Sequence, residues 1–232
     1  MARRHAFRAS RNRQSVVPEL GVRHEESMTF RFPNKKLRWS LAGIALGSLL
    51  TAASSVSVYA DDTDEESLIK NGCGMWPHAQ CQGVDLRHAD LSGKNLAGAD
   101  FSGAKLARAD LRGANIAGAN FDNADLTAAR MSKVTAPTAT FRNARLVGAD
   151  LEFARLFRAD FSGADLTAAN LEAARTNFAW FVGAKLVDAN LQETKFFTVN
   201  FKDADLTGSY RRFTIFPESF FEGCRGCPED WK

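Results

Sequence analysis

The sequence predicts a solenoid of short stacked repeats, and three observations lead to this prediction. Large apolar residues recur every five positions at 28 consecutive positions, from Leu86 to Phe221, and only Ala136, Thr176 and Arg211 interrupt the series. The residue two positions before each of them is usually Ala. A second period of twenty residues is superimposed on the first. Self-similarity at a fixed period of this length is typical of solenoids.

The period of twenty indicates four five-residue units per coil and about seven coils. In two of the four columns that this period defines, the central residue is the same in every coil, Phe in one column and Leu in the other. The Phe column holds Phe101, Phe121, Phe141, Phe161, Phe181, Phe201 and Phe221, and the Leu column holds Leu86, Leu106, Leu126, Leu146, Leu166, Leu186 and Leu206. Stacked rings in the interior would bury apolar area and hold neighbouring coils in register.

From Val84 onward the units read A-[DN]-[LF]-x-x, as in ADLSG, KNLAG and ADFSG. This pattern closely resembles the pentapeptide-repeat family over residues 84 to about 221. The resemblance implies an all-β fold, a right-handed quadrilateral β-helix in which four pentapeptides make one coil.

Charges of alternating sign occupy one outward column, which would penalise a stack that slips by one coil. The column reads Asp85, Lys105, Asp125, Arg145, Asp165, Lys185 and Asp205.

The N-terminal region carries the features of a secretory leader. A basic stretch over 31–38 precedes an uncharged apolar run over 41–58, and small residues come before Asp61. This order is typical of a signal peptide, and we predict cleavage after Ala60. An uncleaved anchor is the alternative, although Ser and Thr dilute the run and its length is borderline for ~30 Å of hydrocarbon. We expect a periplasmic or secreted protein without membrane attachment after cleavage, with the thylakoid lumen as an alternative location.

The predicted organisation has five parts. An upstream or disordered extension (1–27) precedes the signal peptide (28–60), an N-terminal cap (61–83), the repeats (84–221) and a C-terminal cap with a C-x-x-C sequence (222–232). Whether translation starts at Met1 or at Met28 stays open.

Both caps have a predicted structure. Helix-favouring residues over 62–70, followed by Asn71-Gly72, predict a short helix that leads onto the first coil. At the other end an apolar tail is expected to fold over the last coil, with Phe213, Ile215, Phe216, Phe220 and Trp231.

The charge of the chain argues against a nucleic-acid partner. The whole chain has net charge +3, but residues 1–60 hold ten basic and three acidic residues, so the remainder has net charge −4. Residues 82–210 hold 15 basic and 15 acidic residues. The family resemblance suggests DNA mimicry as one possible function. Such mimicry needs a strongly negative surface, so the balanced charge of the repeats argues against it.

Two pairs of cysteines flank the repeats, Cys73 with Cys81 and Cys224 with Cys227. At about 4.8 Å per coil the pairs would lie about 30 Å apart, which excludes one four-cysteine zinc site in a single chain. In an oxidising compartment the expectation is two local disulfides. The C-x-x-C spacing of the second pair also matches thiol–disulfide oxidoreductases, so a redox role is an alternative.

Catalysis is not indicated. The histidines after residue 60 are His78 and His88, and the neighbouring Asp85 and Asp90 follow the ordinary acidic position of the repeat. The sequence contains no Gly-rich phosphate loop, nucleophile elbow or HExxH motif. We expect no enzymatic activity, no metal and no cofactor.

The candidate binding surface is a cluster of aromatic and basic residues at outward positions that are elsewhere small or polar. We call it the aromatic–basic face, and it comprises Phe153, Arg155, Phe157, Arg158, Arg175, Phe178, Trp180, Lys195 and Phe197. Exposed aromatic and Arg clusters are typical of protein-binding hot spots. The alternatives are that a loop or the C-terminal tail covers the cluster, or that a bulge over 176–178 turns Phe178 inward.

The sequence therefore favours a non-enzymatic exported scaffold that binds a protein partner through the aromatic–basic face. A thiol–disulfide function of the C-x-x-C sequence or a secreted effector are the alternatives. The oligomeric state and the identity of the partner stay open.

Overall fold

The computed structural model describes residues 69–228, which form an all-β repeat solenoid. Parallel bridges join residues twenty positions apart, from Gln80↔Asp100 to Asp205↔Arg225. Each twenty-residue coil contains four such bridges and four turns, so it has four sides. The predicted stacking every twenty residues is confirmed. The extension, the signal peptide and its cleavage site, and Trp231 lie outside the described residues.

Backbone hydrogen bonds between successive coils hold each bridge. The Lys105 N–H donates to the Val84 carbonyl at 2.9 Å, and the Leu86 N–H donates to the Lys105 carbonyl at 2.8 Å. This ladder extends four residues beyond the predicted repeat region at each end. It does so because backbone pairing does not need a large central residue, and Cys81 takes the inward position instead.

Each five-residue unit ends in a tight turn, and the fifth residue of the unit has a positive φ. In the unit centred on Phe101, the Ala104 N–H donates to the Phe101 carbonyl at 3.0 Å, and Gly103 has φ 64°. The left-handed conformation costs a residue with a Cβ roughly 1–2 kcal/mol, which explains why glycine is frequent at this fifth position.

The second residue of the unit is usually Asp or Asn because its side chain accepts a hydrogen bond from the turn. The Asp165 Oδ1 accepts from the Thr167 N–H at 3.1 Å and from the Thr167 Oγ1 at 2.6 Å. Burial alone would raise the pKa of Asp165, but the hydrogen bonds from Thr167 outweigh it and lower that pKa. Asn115 makes the equivalent bond to the Ala117 N–H at 3.2 Å. This local capping is the physical basis of the acidic or amide position in the repeat.

The core is the predicted interior column of Phe residues, flanked by Leu and Ala. Ring centroids of successive Phe residues lie 4.7–5.4 Å apart, in near-parallel stacks. Phe141 and Phe161 are 4.7 Å apart with an interplanar angle of 2°, and both are fully buried. The prediction of a stacked Phe column is confirmed.

The alternating charge column makes few direct contacts between coils. Arg225 continues the column by one coil, and its ion pair with Asp205 at 2.8 Å is the one between members of the column among residues 69–228. At the first coil Asp85 pairs with Arg87 at 2.6 Å instead. The hydrogen bonds from Arg87 lower the pKa of Asp85 to about 2, and Lys105 on the next coil adds a smaller Coulomb effect.

A short hairpin precedes the first coil. Strand β1 (Ile69–Lys70) pairs antiparallel with β2 (Cys73–Gly74). Asn71 and Gly72 between them have φ 50° and 78°, the two positive values that a tight hairpin turn requires. The predicted helix is therefore wrong for Ile69 and Lys70, and its remaining residues lie outside the described part of the chain.

The predicted C-terminal apolar cap is wrong for Phe213 and Phe220, which are 68% and 61% exposed. The coil register continues through this segment, with Ile215 and Phe220 bridged to the preceding coil, so it fixes which side chains face outward. Phe216 is the member of this group that points inward and is buried.

The described residues include no helix that is long and apolar enough to cross a membrane.

Candidate partner-binding site

The structure places the aromatic–basic face on one side of the solenoid and on the corners that border it. We number the four sides in chain order by the columns that begin at Gln80, Asp85, Asp90 and Asn95. This fourth side is defined by its outward strand residues, which follow one another along the bridge ladder: Asn95, Asn115, Thr135, Arg155, Arg175, Lys195 and Ile215. Arg155, Arg175 and Lys195 therefore stand on three successive coils, as the repeat period predicts. Trp180 lies on the adjacent side, directly around the corner.

The three cations are placed at a cost to the fold. Strand neighbours stack about 4.8 Å apart, and like charges on exposed side chains at such a spacing repel by up to about 1 kcal/mol. Within residues 69–228, none of Arg155, Arg175 and Lys195 forms an ion pair. Arg and Lys side chains also have no acceptor, so they cannot make the turn-capping hydrogen bond that Asn115 makes on the same side.

Three phenylalanines occupy the left-handed corner position, which is filled elsewhere by glycine, alanine or polar residues. Phe153, Phe178 and Phe213 have φ values of 55°, 60° and 60°, and Gly113 has φ 65° at the corner that Phe153 and Phe213 share. The repeat sets this φ at every corner, so these Phe residues differ from the other corner residues in the size and exposure of their side chains and not in backbone conformation.

A groove runs along the corner between the third and fourth sides. Its volume is about 610 Å³. Arg155, Arg175 and Lys195 form one wall, and the adjoining corner column of Phe153, Ala173, Glu193 and Phe213 forms the other, with the two Phe residues at its ends. We call this the basic groove. The guanidinium group of Arg212 lies 4.8 Å from the ring centroid of Phe213 and adds a further cation beside one end.

An aromatic cluster occupies the opposite corner of the fourth side. Phe157 and Phe178 meet edge to face, with ring centroids 5.5 Å apart and an interplanar angle of 82°. The guanidinium group of Arg158 lies 5.2 Å from the Phe157 ring and 6.0 Å from the Phe178 ring. Each ring is about half-exposed, so the cluster presents preformed aromatic edges to solvent.

A second, mainly apolar groove of about 330 Å³ lies beside this cluster. We call it the aromatic groove, and it is lined by Arg158, Phe178, Trp180, Thr198, Asn200 and Phe220. Trp180 is 53% exposed and forms one wall. The aromatic groove has the size and the lining to receive one or two apolar side chains of a partner.

The structure decides the alternative of an inward bulge at residues 176–178. Phe178 lies in an ordinary turn, its N–H donates to the Phe197 carbonyl at 2.9 Å, and its side chain is exposed. The bulge is therefore wrong. Phe197 shares the column of Phe157, two coils away, but lines neither groove.

Six residues that line these grooves are not among those predicted from the sequence: Ala173, Glu193, Thr198, Asn200, Phe213 and Phe220. Phe213 lies three coils from Phe153 at the same corner position, and Phe220 lies two coils from Trp180 at the same strand position. The twenty-residue period contains this signal for both Phe residues, which the apolar pattern places instead in the predicted C-terminal cap.

Both cysteine pairs form disulfides, Cys73 with Cys81 and Cys224 with Cys227. Arg225, between the second pair, continues the bridge ladder and pairs with Asp205, so this disulfide closes the last bridged turn. The described residues contain no group of three or more His, Cys, Asp or Glu side chains that could hold a metal ion.

Comparisons with solved structures return other pentapeptide repeat proteins. HetL, a protein involved in heterocyst differentiation regulation from the cyanobacterium Nostoc, is 26% identical, with 66% of this chain and 78% of that chain covered and a TM-score of 0.36. QnrB1, a plasmid-mediated fluoroquinolone resistance protein, is 20% identical, with 59% and 76% covered and a TM-score of 0.44. A pentapeptide repeat protein from the thylakoid lumen of Arabidopsis thaliana is 27% identical, with 51% and 72% covered and a TM-score of 0.26. The search of curated proteins returned no match.

The family assignment rests on the repeats and not on these structures, whose TM-scores are all below 0.5. The profile of the pentapeptide repeats matches eight copies, over residues 79–116, 104–135, 139–172 and 177–210, which together cover just over half of the chain. With the bridge period of twenty and the capped, left-handed turns, the match shows that the chain belongs to the pentapeptide repeat family.

Proposed function

We propose that the protein is a non-enzymatic scaffold that binds a protein partner through the aromatic–basic face. One observation carries this proposal. Two independent kinds of unusual placement, large exposed rings at turn positions and a column of like charges, converge on this side of the solenoid and its corners. Neither placement helps the fold, so a function of that surface is the simplest reason to retain both.

The chemistry of the surface suits a protein partner. Trp, Phe and Arg side chains are enriched in the central, desolvated contacts of protein interfaces. The Phe157–Phe178 pair with Arg158 is prearranged, so little side-chain entropy would be lost on binding. The aromatic groove beside it offers a site for an inserted side chain.

We also propose that residues 28–60 are a signal peptide, cleaved after Ala60, and that the protein acts in the periplasm or outside the cell. The two disulfides support an oxidising compartment. N-terminal sequencing of the protein recovered from periplasmic and culture fractions tests both points. An intact N-terminus in the cytosolic fraction alone would contradict the proposal.

The binding proposal is tested by a pull-down with the variant Phe157→Ser/Phe197→Ser. The matched control is Val147→Ser/Val187→Ser, which changes the same unit position on two coils of another side. We expect the wild-type protein and the control to retain the partner, and the Phe variant to lose it while its circular dichroism spectrum is unchanged. A Phe variant that is folded and retains every partner would overturn the proposed surface.

A further inference from the structure

We propose that the basic groove binds an extended acidic peptide segment, with the peptide running along the axis of the solenoid. This inference rests on the proposed function, because both place a protein partner on the fourth side. It adds a ligand class, a carboxylate-rich chain, and a separate site for it at the other corner of that side.

Charge complementarity is the first argument. Arg155, Arg175 and Lys195 form one wall of the groove and have no ion-pair partner within residues 69–228. Glu193 is the one acidic side chain that lines the groove. The guanidinium groups present planar forks that match carboxylates in bidentate geometry, and Arg clusters are a common device for recognising acidic motifs.

The dimensions of the groove are the second argument. Phe153 and Phe213 are three coils apart, a distance of about 14 Å at the spacing of stacked strands. An extended peptide advances about 3.3 Å per residue, so about four residues fit between the two rings. The cations recur once per coil along this length, which suits a linear ligand with several carboxylates better than a single compact anion.

The ends of the groove supply the third argument. The Phe153 ring is half-exposed and the Phe213 ring is 68% exposed, and both are held at left-handed turn positions. Rings fixed at both ends of a cationic wall can pack against apolar side chains that flank an acidic stretch. The groove therefore selects for a short acidic segment with apolar neighbours.

The experiment measures the fluorescence anisotropy of a fluorescein-labelled peptide of seven glutamates with the full chain. We expect saturable binding that weakens as salt is raised, because exposed charges are screened. Arg155→Glu/Arg175→Glu should weaken binding by at least tenfold. The control Lys105→Glu/Arg108→Glu makes the same change in net charge on the second side and should leave the affinity within twofold of wild type.

Two results would overturn the inference. The first is absence of binding, or equal affinity for the two charge-reversal variants, because the groove would then not be the site. The second is a polygalacturonate of equal charge that binds tenfold more tightly than the peptide through the same arginines, because the ligand would then be an acidic polysaccharide.

The variant Phe157→Ser/Phe197→Ser separates this inference from the proposed function. We expect it to bind the glutamate peptide within twofold of wild type, since neither residue lines the basic groove. If the partner is lost with this variant but retained by Arg155→Glu/Arg175→Glu, the proposed function stands and the acidic-peptide site falls. If that partner is retained by the Phe variant and lost by the Arg variant, the acidic-peptide site stands and the proposed aromatic contact falls.

Discussion

Replacing Arg175 with Asp is expected to stabilise the solenoid while it destroys the basic groove. On the same side, Asn115 accepts a hydrogen bond from the N–H two residues later, and Arg175 cannot do this for Asn177. Restoring one such bond is worth about 0.5–1.5 kcal/mol. Converting repulsion by Arg155 and Lys195 into attraction adds roughly 0–1 kcal/mol, since the groups are exposed. The expected gain is about 1–2 kcal/mol, or about 2–8 °C in Tm for a chain of this size.

A series of three substitutions at this position separates the two contributions. Arg175→Ala removes the repulsion alone, Arg175→Asn also restores the acceptor, and Arg175→Asp adds the favourable charge. Urea denaturation followed by far-UV circular dichroism should give midpoints that rise in the order wild type, Ala, Asn, Asp. If Asp and Asn are no more stable than Ala, the turn-capping bond does not stabilise the repeat and the reasoning fails.

Three further outcomes are expected. Phe141→Ala should lower stability by about 3–5 kcal/mol, because it opens a cavity in a fully buried stack; a loss below about 1 kcal/mol would show that the stack collapses freely. Burial raises the pKa of Asp160, but hydrogen bonds from its neighbours, including Arg142 at 2.6 Å, lower it overall. Its contribution is therefore present above the unfolded pKa of about 3.9 and is lost as pH falls through the lower folded value, so the urea-midpoint gap between wild type and Asp160→Asn should narrow as pH falls below about 3.9. Cys224→Ser/Cys227→Ser should cost about 2 kcal/mol by the loop-closure relation, and wild-type protein that accelerates insulin reduction would instead favour the redox alternative.

The sequence was sufficient to predict the interior of the solenoid. In a coil of five-residue units the period fixes which positions point inward, so the sequence alone predicts the Phe column. The turn-capping role of Asp and Asn was not predicted, because it depends on a local hydrogen bond that hydrophobic periodicity does not reveal. The hairpin was missed for a related reason. Asn71-Gly72 ends helices and also makes tight hairpin turns, and only the two positive φ values decide between them.

The candidate site was predicted in part. The period alone placed Arg155, Arg175 and Lys195 in one column, because bridged residues must share a side. The two grooves were not predicted, since a groove depends on which corners carry rings and on how far each ring extends. The sequence predicts that Phe213 and Phe220 belong to a cap, because apolar side chains near the end of a solenoid commonly cover that end. In the structure the backbone register continues through this segment and turns both side chains outward.

The bridge period of twenty residues also restricts how the binding surface can change in length. Inserting or deleting one, two or three whole five-residue units between Arg175 and Lys195 would move everything beyond the change onto a different side and separate Lys195 from Arg155 and Arg175. Duplicating one whole coil would instead place another cation in line and lengthen the basic groove by about 4.8 Å. The length of the basic groove can therefore change only in steps of one coil. New specificities for longer or shorter ligands would arise by gain or loss of complete twenty-residue segments.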